Sequence, residues 1–297
     1  ITYGGNGMQR EAAVVTGSVG QVPQQIANEL NITVIPFIVY VNGEEHRDGV
    51  DITPGELYKR MRSEQVEVKT AAPSMGEYFM SFKNLFESGI RKILCITLSN
   101  KLSSAYSAAV NAANLIREEN PDLEVVVFDS HRAAVPQGFL AIEAAKKIIA
   151  GVSFEDVVSY VNSQWKKTGI CAALDTLQYL AQNGRIGKAA NYVGSALKIL
   201  PILHLNDDGV VAPATVLRNK AKIIPTIINR IINETEGYTY LKLGVMQADA
   251  YEAAEELREE VKKRFPDYHE EIRIDEFTPV MGAHTGPGLI GLGYLYE

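Results

Sequence analysis

Arg91-Lys-Ile-Leu-Cys-Ile-Thr-Leu98, followed after a short polar step by Leu102-Ser-Ser-Ala-Tyr106, is the stretch on which the fold turns. Its centre, Ile93 to Leu98, is an almost continuous apolar run. A strand with one wet face would alternate; a run of this kind reads as a strand covered on both faces. Ser103, a favoured N-cap type, then opens a helix that reaches about Glu119. The same unit recurs downstream, with an apolar strand at Glu124 to Phe128 and a helix over 136–149 that Gly151 stops. Strands alternating with helices imply crossover units and a parallel sheet between helices.

Towards the N-terminus, Glu11 to Thr16 reads as a strand, Pro23 to Leu30 as a helix and Thr33 to Val41 as a second strand, followed by the type I′ turn signal Asn42-Gly43. Residues 54–62 look helical, with Pro54 near the first turn. Ser74 to Ser88 is a helix announced by a capping box, Ser74 with Glu77. Towards the C-terminus, Ser153 and Asp156 start a helix that runs to about Lys167, and Thr168-Gly169 follows as the expected boundary. Beyond it come helices near 175–183 and 188–198. A hairpin from Ile199 to Leu217 turns at Asp207-Asp208-Gly209, and a helix covers 219–235. Strand 239–247, helix 249–264 and strands 270–278 and 289–296 close the chain. The expectation is an α/β protein of two domains: a three-layer α/β/α parallel-sheet domain over 8–167, and a two-layer α/β domain with a mixed sheet over 168–297.

Composition narrows the function classes. The chain has 297 residues, a net charge of −7 and 46% apolar residues. It has no Lys/Arg cluster of the kind that marks a nucleic-acid face. No apolar run approaches the roughly 18 residues of a membrane span, and no signal peptide opens the chain, so a cytoplasmic protein is expected. The polar, Gly-rich segment before Met8 is given no structural role. Cys95 and Cys171 sit in apolar runs and read as core thiols.

Several motifs fail on physical grounds. Gly286-x-Gly288-x-x-Gly291 has the letters of a dinucleotide fingerprint, but only six residues remain after it and they read as a strand, where the motif needs a helix. Gly184-Arg-Ile-Gly187-Lys188 is two residues short of a P-loop and lacks the Ser/Thr after its Lys. His46, His131, His204, His269 and His284 show no metal-ligand spacing. No G-x-S-x-G elbow is present.

Two hydroxyl segments remain, Thr70-Ala-Ala-Pro-Ser74 and Leu102-Ser-Ser-Ala-Tyr106. Each precedes or opens a helix, and the second follows a buried strand. Ligands of doubly wound sheets lie beyond the strand carboxyl ends, where helix N-termini attract anions. Capping alone also accounts for such hydroxyls. His284-Thr-Gly-Pro-Gly288 reads as a tight loop between two strands, and Asn183-Gly184-Arg185 as a helix C-cap with a dipole-compensating arginine.

In order along the chain, these segments resemble the DegV family over about residues 12–297. The resemblance is carried by Thr16-Gly17-Ser18, Thr70-Ala71-Ala72-Pro73-Ser74, Leu102-Ser103-Ser104-Ala105-Tyr106 and Asp129-Ser130. It continues through Leu177-Gln178-Tyr179-Leu180 with Asn183-Gly184-Arg185-Ile186, then Pro201-Ile202, Arg218-Asn219-Lys220 and His284-x-Gly-Pro-Gly288. It implies a non-enzymatic carrier that binds a long-chain fatty acid as its only ligand, without a cofactor or metal. The carboxylate would meet Thr70 and Ser103, with His284 and Arg185 close by. It further implies a partner, a fatty acid kinase related to dihydroxyacetone kinases, which makes the acyl phosphate for phospholipid synthesis. Lys188 and Arg218 are the candidate contacts to that kinase. The family pattern has an acid at position 17 and a second glycine at 183. Gly17, Ala71, Ala72, Ser104 and Ala105 thin the polar groups of the family pattern and bear on ligand choice. Two other readings stay open: the family's first domain is distantly similar to the substrate-binding part of dihydroxyacetone kinases, which implies a small-ketone or ester enzyme in which His284 or His131 holds a ketone, and the losses at Gly17 and Ala71 suit a regulatory module with a degenerate pocket.

Overall fold

The computed structural model describes residues 11–64, 66–194 and 199–297. The segment before Met8 and the end of the helix expected over 188–198 lie outside them. The apolar run at 91–98 becomes β6 (Lys92–Thr97), buried at five of its six positions. It pairs in parallel with β1 (Ala12–Gly17) on one side and β7 (Glu124–Asp129) on the other. With β2 (Ile32–Ile35) the order is β2-β1-β6-β7, a wholly parallel sheet. Helices α3 (Met75–Glu87) and α4 (Ala105–Glu119) cover one face; α1 (Gln24–Leu30) and α5 (Val135–Ile149) cover the other. The capping box at Ser74 and Glu77 is present as the sequence indicates.

The second sheet has six strands in the order β10-β9-β8-β13-β11-β12. They are β8 (Thr168–Ala173), β9 (Leu200–Leu205), β10 (Val211–Leu217), β11 (Leu241–Ala248), β12 (Ile274–Glu276) and β13 (Leu289–Tyr296). All pairings are antiparallel except β11 with β12. Its outer face carries α8 (Ile223–Glu234) and α9 (Tyr251–Arg264). Its inner face lies on α5, which also packs against β1 and β6. That double duty explains why Val135 through Ala145 are all buried, a pattern foreign to a helix with a wet face. We propose the division between the halves at Lys167 and Thr168, because every strand of the parallel sheet precedes it and every strand of the mixed sheet follows it.

Three features depart from the sequence reading. The single strand expected over Thr33 to Val41 is broken at Pro36-Phe37. Beyond the break, β3 (Ile38–Val41) leaves the parallel sheet and forms a small antiparallel sheet, β4-β3-β5, with β4 (Glu44–Arg47) and β5 (Val68–Ala71). Proline cannot donate to a ladder, so it stands where the chain changes partners. Asn42 and Gly43 turn the β3–β4 hairpin with φ of 53° and 84°, as the type I′ signal requires. The second departure is that the strand expected over 270–278 is only β12 (Ile274–Glu276), and it is followed by a helix, α10 (Pro279–Thr285), which takes in the start of the expected loop at 284–288. His284 and Thr285 therefore belong to a helix, and the loop proper is Gly286-Pro287-Gly288. In the described part of the helix expected over 188–198 there is a 3-10 turn over Gly187–Tyr192.

Candidate functional site

The small sheet and α10 create the site. Helix α10 packs on β3 and β5, and this contact brings two residues 214 positions apart to hydrogen-bond distance: Thr70 Oγ1 lies 2.8 Å from His284 Nε2. Thr70 is on β5, whose register sets it opposite Val39 of β3. Ser103 stands just before α4, where its Oγ accepts from Ala105 N at 3.2 Å. Ser104 occupies the N-cap position but makes no capping bond with its side chain. Arg185 follows α7 (Gln178–Gln182) after the left-handed Gly184, φ 68°. It donates from Nε to Leu102 O at 3.0 Å and from Nη1 to Asn183 O at 2.6 Å. The arginine thus serves its expected capping role and also ties the residue before Ser103 to the end of α7.

Thr70, Ser103, Arg185 and His284 all line one cavity of about 430 Å³. That is within the ~300–1,000 Å³ usual for small-molecule sites. The remaining wall is mainly apolar and is drawn from both halves; Leu98, Leu102, Leu203, Val280 and Met281 contribute to it. Among the described residues no Asp or Glu lines the cavity, whereas Arg185 does, so the polar end favours one negative charge. The N-terminus of the 15-residue α4 opens at the same end and adds its positive pole.

Burial, with a smaller contribution from the Arg185 charge, holds His284 down at a pKa of about 4. The imidazole is therefore neutral near pH 7, and its Nδ1 is buried without a hydrogen-bond partner among the described residues. A neutral imidazole has one N–H. If Nε2 carries it, Thr70 accepts from His284 and keeps its own hydroxyl proton for a ligand.

The other sequence candidates lie elsewhere. Lys188 is exposed and reaches Asp208 at 3.2 Å; Arg218 is exposed at the end of β10. Neither lines the cavity. His131, named as a possible ketone-holding residue, is also outside it, stacked on Trp165 with ring centroids 4.6 Å apart. Sequence reasoning missed Phe37, which lines the cavity, and His204, half-buried beside Arg230 with a lowered pKa, chiefly through burial. It also missed Asp48, a buried carboxylate that accepts from Ser18 Oγ at 2.6 Å and from Val280 N at 2.9 Å. Asp48 thereby anchors the start of α10 to the end of β1. Burial raises its pKa, against the lowering effect of these bonds. The Pro36-Phe37 break was the available signal for Phe37; nothing local marks Asp48.

A family model described as "Uncharacterised protein, DegV family" matches residues 11–297. The chain belongs to the DegV family. A DegV domain-containing protein of Halalkalibacterium halodurans is 29% identical over 285 residues, 96% of this chain and 98% of that protein. One from Listeria innocua is 30% identical over the same span and shares. Among solved structures, a fatty-acid-binding DegV protein from Thermus thermophilus superposes with a TM-score of 0.88 at 25% identity, covering 97% of this chain and all of that one. DegV from Bacillus subtilis, a fatty acid binding protein, gives 0.87 at 27% identity with the same coverage. A stearic acid-binding protein from Eubacterium ventriosum gives 0.86 at 27%, covering 96% of this chain and 98% of that one.

Within this DegV chain, position 17 has a physical explanation. A Cβ built on Gly17 would fall 2.6 Å from Phe37 Cε2. The Phe37 ring occupies the space that a side chain at 17 would need, and an apolar wall stands where the family pattern has an acid. Among the described residues, no helix is long and apolar enough to cross a membrane.

Proposed function

We propose that this DegV-family chain binds a long-chain fatty acid in the cavity between its halves and presents the carboxylate to a cytoplasmic fatty acid kinase, which forms the acyl phosphate used in phospholipid synthesis. The observation that carries the reading is the combination in one cavity of a mainly apolar wall with the polar group Thr70, Ser103, Arg185 and His284 and, among the described residues, no lining carboxylate. The similar solved structures from Thermus thermophilus and Bacillus subtilis, both fatty acid binders, support it.

The energetics agree. Burying an acyl chain contributes about 0.8 kcal/mol per CH₂, so about fourteen methylenes give roughly 11 kcal/mol before the entropic cost of association. The carboxylate opposes binding, since burying it unpaired costs several kcal/mol or more. Hydroxyl donors from Thr70 and Ser103, the α4 N-terminus and the Arg185 charge offset that cost, because hydrogen bonds involving an ion are about twice as strong as neutral ones. His284, kept neutral, holds Thr70 without competing for the charge. The kinase would approach this polar end, with Lys188 and Arg218 as its contacts. Among the described residues no acid lines the cavity to pair with His284, so this geometry gives little to a general acid–base mechanism.

Mild denaturation, organic extraction and mass spectrometry of the purified protein test the proposal. A stoichiometric fatty acid is expected. No lipid, together with no uptake of added long-chain fatty acids, would turn the reading towards a regulatory module.

A further inference from the structure

The C-terminus of α10 is capped from another part of the chain. The last carbonyls of a helix have no intrahelical donors. In α10 the carbonyl of Gly282 accepts from Gly286 N at 2.8 Å, and that of Met281 from Thr285 Oγ1 at 3.1 Å. The carbonyl of Ala283, the residue before His284, accepts instead from the side chain of Asn183, Nδ2 to O 3.0 Å. The same Nδ2 donates to Tyr179 O at 3.1 Å, in the last turn of α7. Both amide hydrogens are therefore engaged, and one side chain caps two helix ends. The backbone of Asn183 is tied in as well: its N–H donates to Tyr179 O at 3.1 Å and its carbonyl accepts from Arg185 Nη1 at 2.6 Å. Arg185 in turn holds Leu102 O, next to Ser103.

We infer that Asn183 is a positioning residue for the polar end of the cavity, setting the last turn of α10 and so holding the His284 ring against Thr70. This deepens the fatty-acid reading and rests on it for its binding consequence. Asn183 stands where the family pattern has a glycine, which cannot make either side-chain bond. The side chain itself is not among those lining the cavity. It acts on a ligand through His284, across a two-bond bridge between α7 and α10. The Tyr179 ring also packs closely over Gly286, a further contact between the two helix ends.

A double-mutant cycle on the full chain tests this, using palmitate as the probe and reading His284 by its ring ¹⁵N shifts. Asn183→Ala and Asn183→Gly are each expected to weaken palmitate binding by about tenfold, the scale of one or two lost hydrogen bonds. They should also change the His284 ring shifts. In a His284→Ala background, Asn183→Ala should add less than about twofold, because the residue through which it acts is gone. Unchanged affinity in both Asn183 variants, with His284→Ala weakened, overturns the inference and leaves the fatty-acid reading standing. Equal losses with and without His284 overturn it in favour of a general structural role. If the unaltered protein takes up no palmitate, the fatty-acid reading fails by itself. The ring shifts then decide the positioning role: a change in Asn183→Ala supports it and no change overturns it.

Discussion

The two halves give the cavity unlike chemistry on unlike supports. The first half supplies hydroxyls: Thr70 on β5, and Ser103 at the mouth of the 15-residue α4. The second half supplies bases: Arg185 after the five-residue α7, and His284 in the seven-residue α10. The long helix sits on a buried parallel sheet and holds its own geometry. Helices as short as α7 and α10 are not stable by themselves. They depend on cross-links from elsewhere: Asp48 at the start of α10, Asn183 at its end, and Tyr58 on α2 (Pro54–Ser63), whose hydroxyl donates to Phe277 O at 2.9 Å. The lesson is that the hydroxyl side should tolerate change locally, while the basic side should fail through contacts remote in sequence.

The largest expected effect breaks the basic side by shape alone. Gly286 has φ 71°, and a Cβ there would fall 2.2 Å from Tyr179 Cδ2. Gly286→Ala combines a strained backbone with overpacking and should cost about 3 kcal/mol of stability in urea unfolding. A loss under about 1 kcal/mol would mean that α7 and α10 are less tightly joined than their packing indicates.

Next comes pH. His284 has its folded pKa depressed from 6.5 to about 4. Its contribution to stability is fully present above about pH 6.5. Below that, the unfolded chain takes up the proton and the folded one does not, so stability falls with pH until the folded pKa is passed near 4. The full span amounts to about 3 kcal/mol. Unfolding midpoints measured between pH 7 and 4 should show this fall, and His284→Asn should remove most of it. An unchanged slope in that variant would assign the fall to other groups.

The hydroxyls come third, through ligand affinity instead of stability. Thr70→Ala removes the partner of His284 Nε2 as well as a ligand donor and should weaken fatty acid binding by about 2–3 kcal/mol; Ser103→Ala should cost about 1 kcal/mol. Calorimetric titration that ranked Ser103 above Thr70 would dissolve the pairing of the two halves at Thr70 and His284. The smallest effect is expected at Gly17. Gly17→Ala must shift the Phe37 ring, costing about 1 kcal/mol of stability. By pushing that ring towards the cavity it should favour shorter acyl chains in a competition between lauric and stearic acids. No change in that preference would remove Phe37 from the determinants of ligand length.

The sequence by itself determined the repeating strand–helix unit, the hairpins at Asn42-Gly43 and Asp207-Asp208-Gly209, and the capping box at Ser74. These features are encoded by apolar periodicity and turn chemistry over a few residues. It also indicated Thr70, Ser103, Arg185 and His284, four of the polar residues that line the cavity, through their motif order along the chain. Tertiary structure alone decided that β3 leaves the parallel sheet, that α5 serves two sheets, and that Pro279–Thr285 is helical. The same holds for the bond between Thr70 and His284 and for the supports at Asp48 and Asn183. A seven-residue helix carries too few turns to show a period, and a contact between residues more than two hundred positions apart leaves no local pattern. Such contacts form because packing two sheets against one buried helix brings those segments together, and the polar atoms it buries must then find partners across the chain.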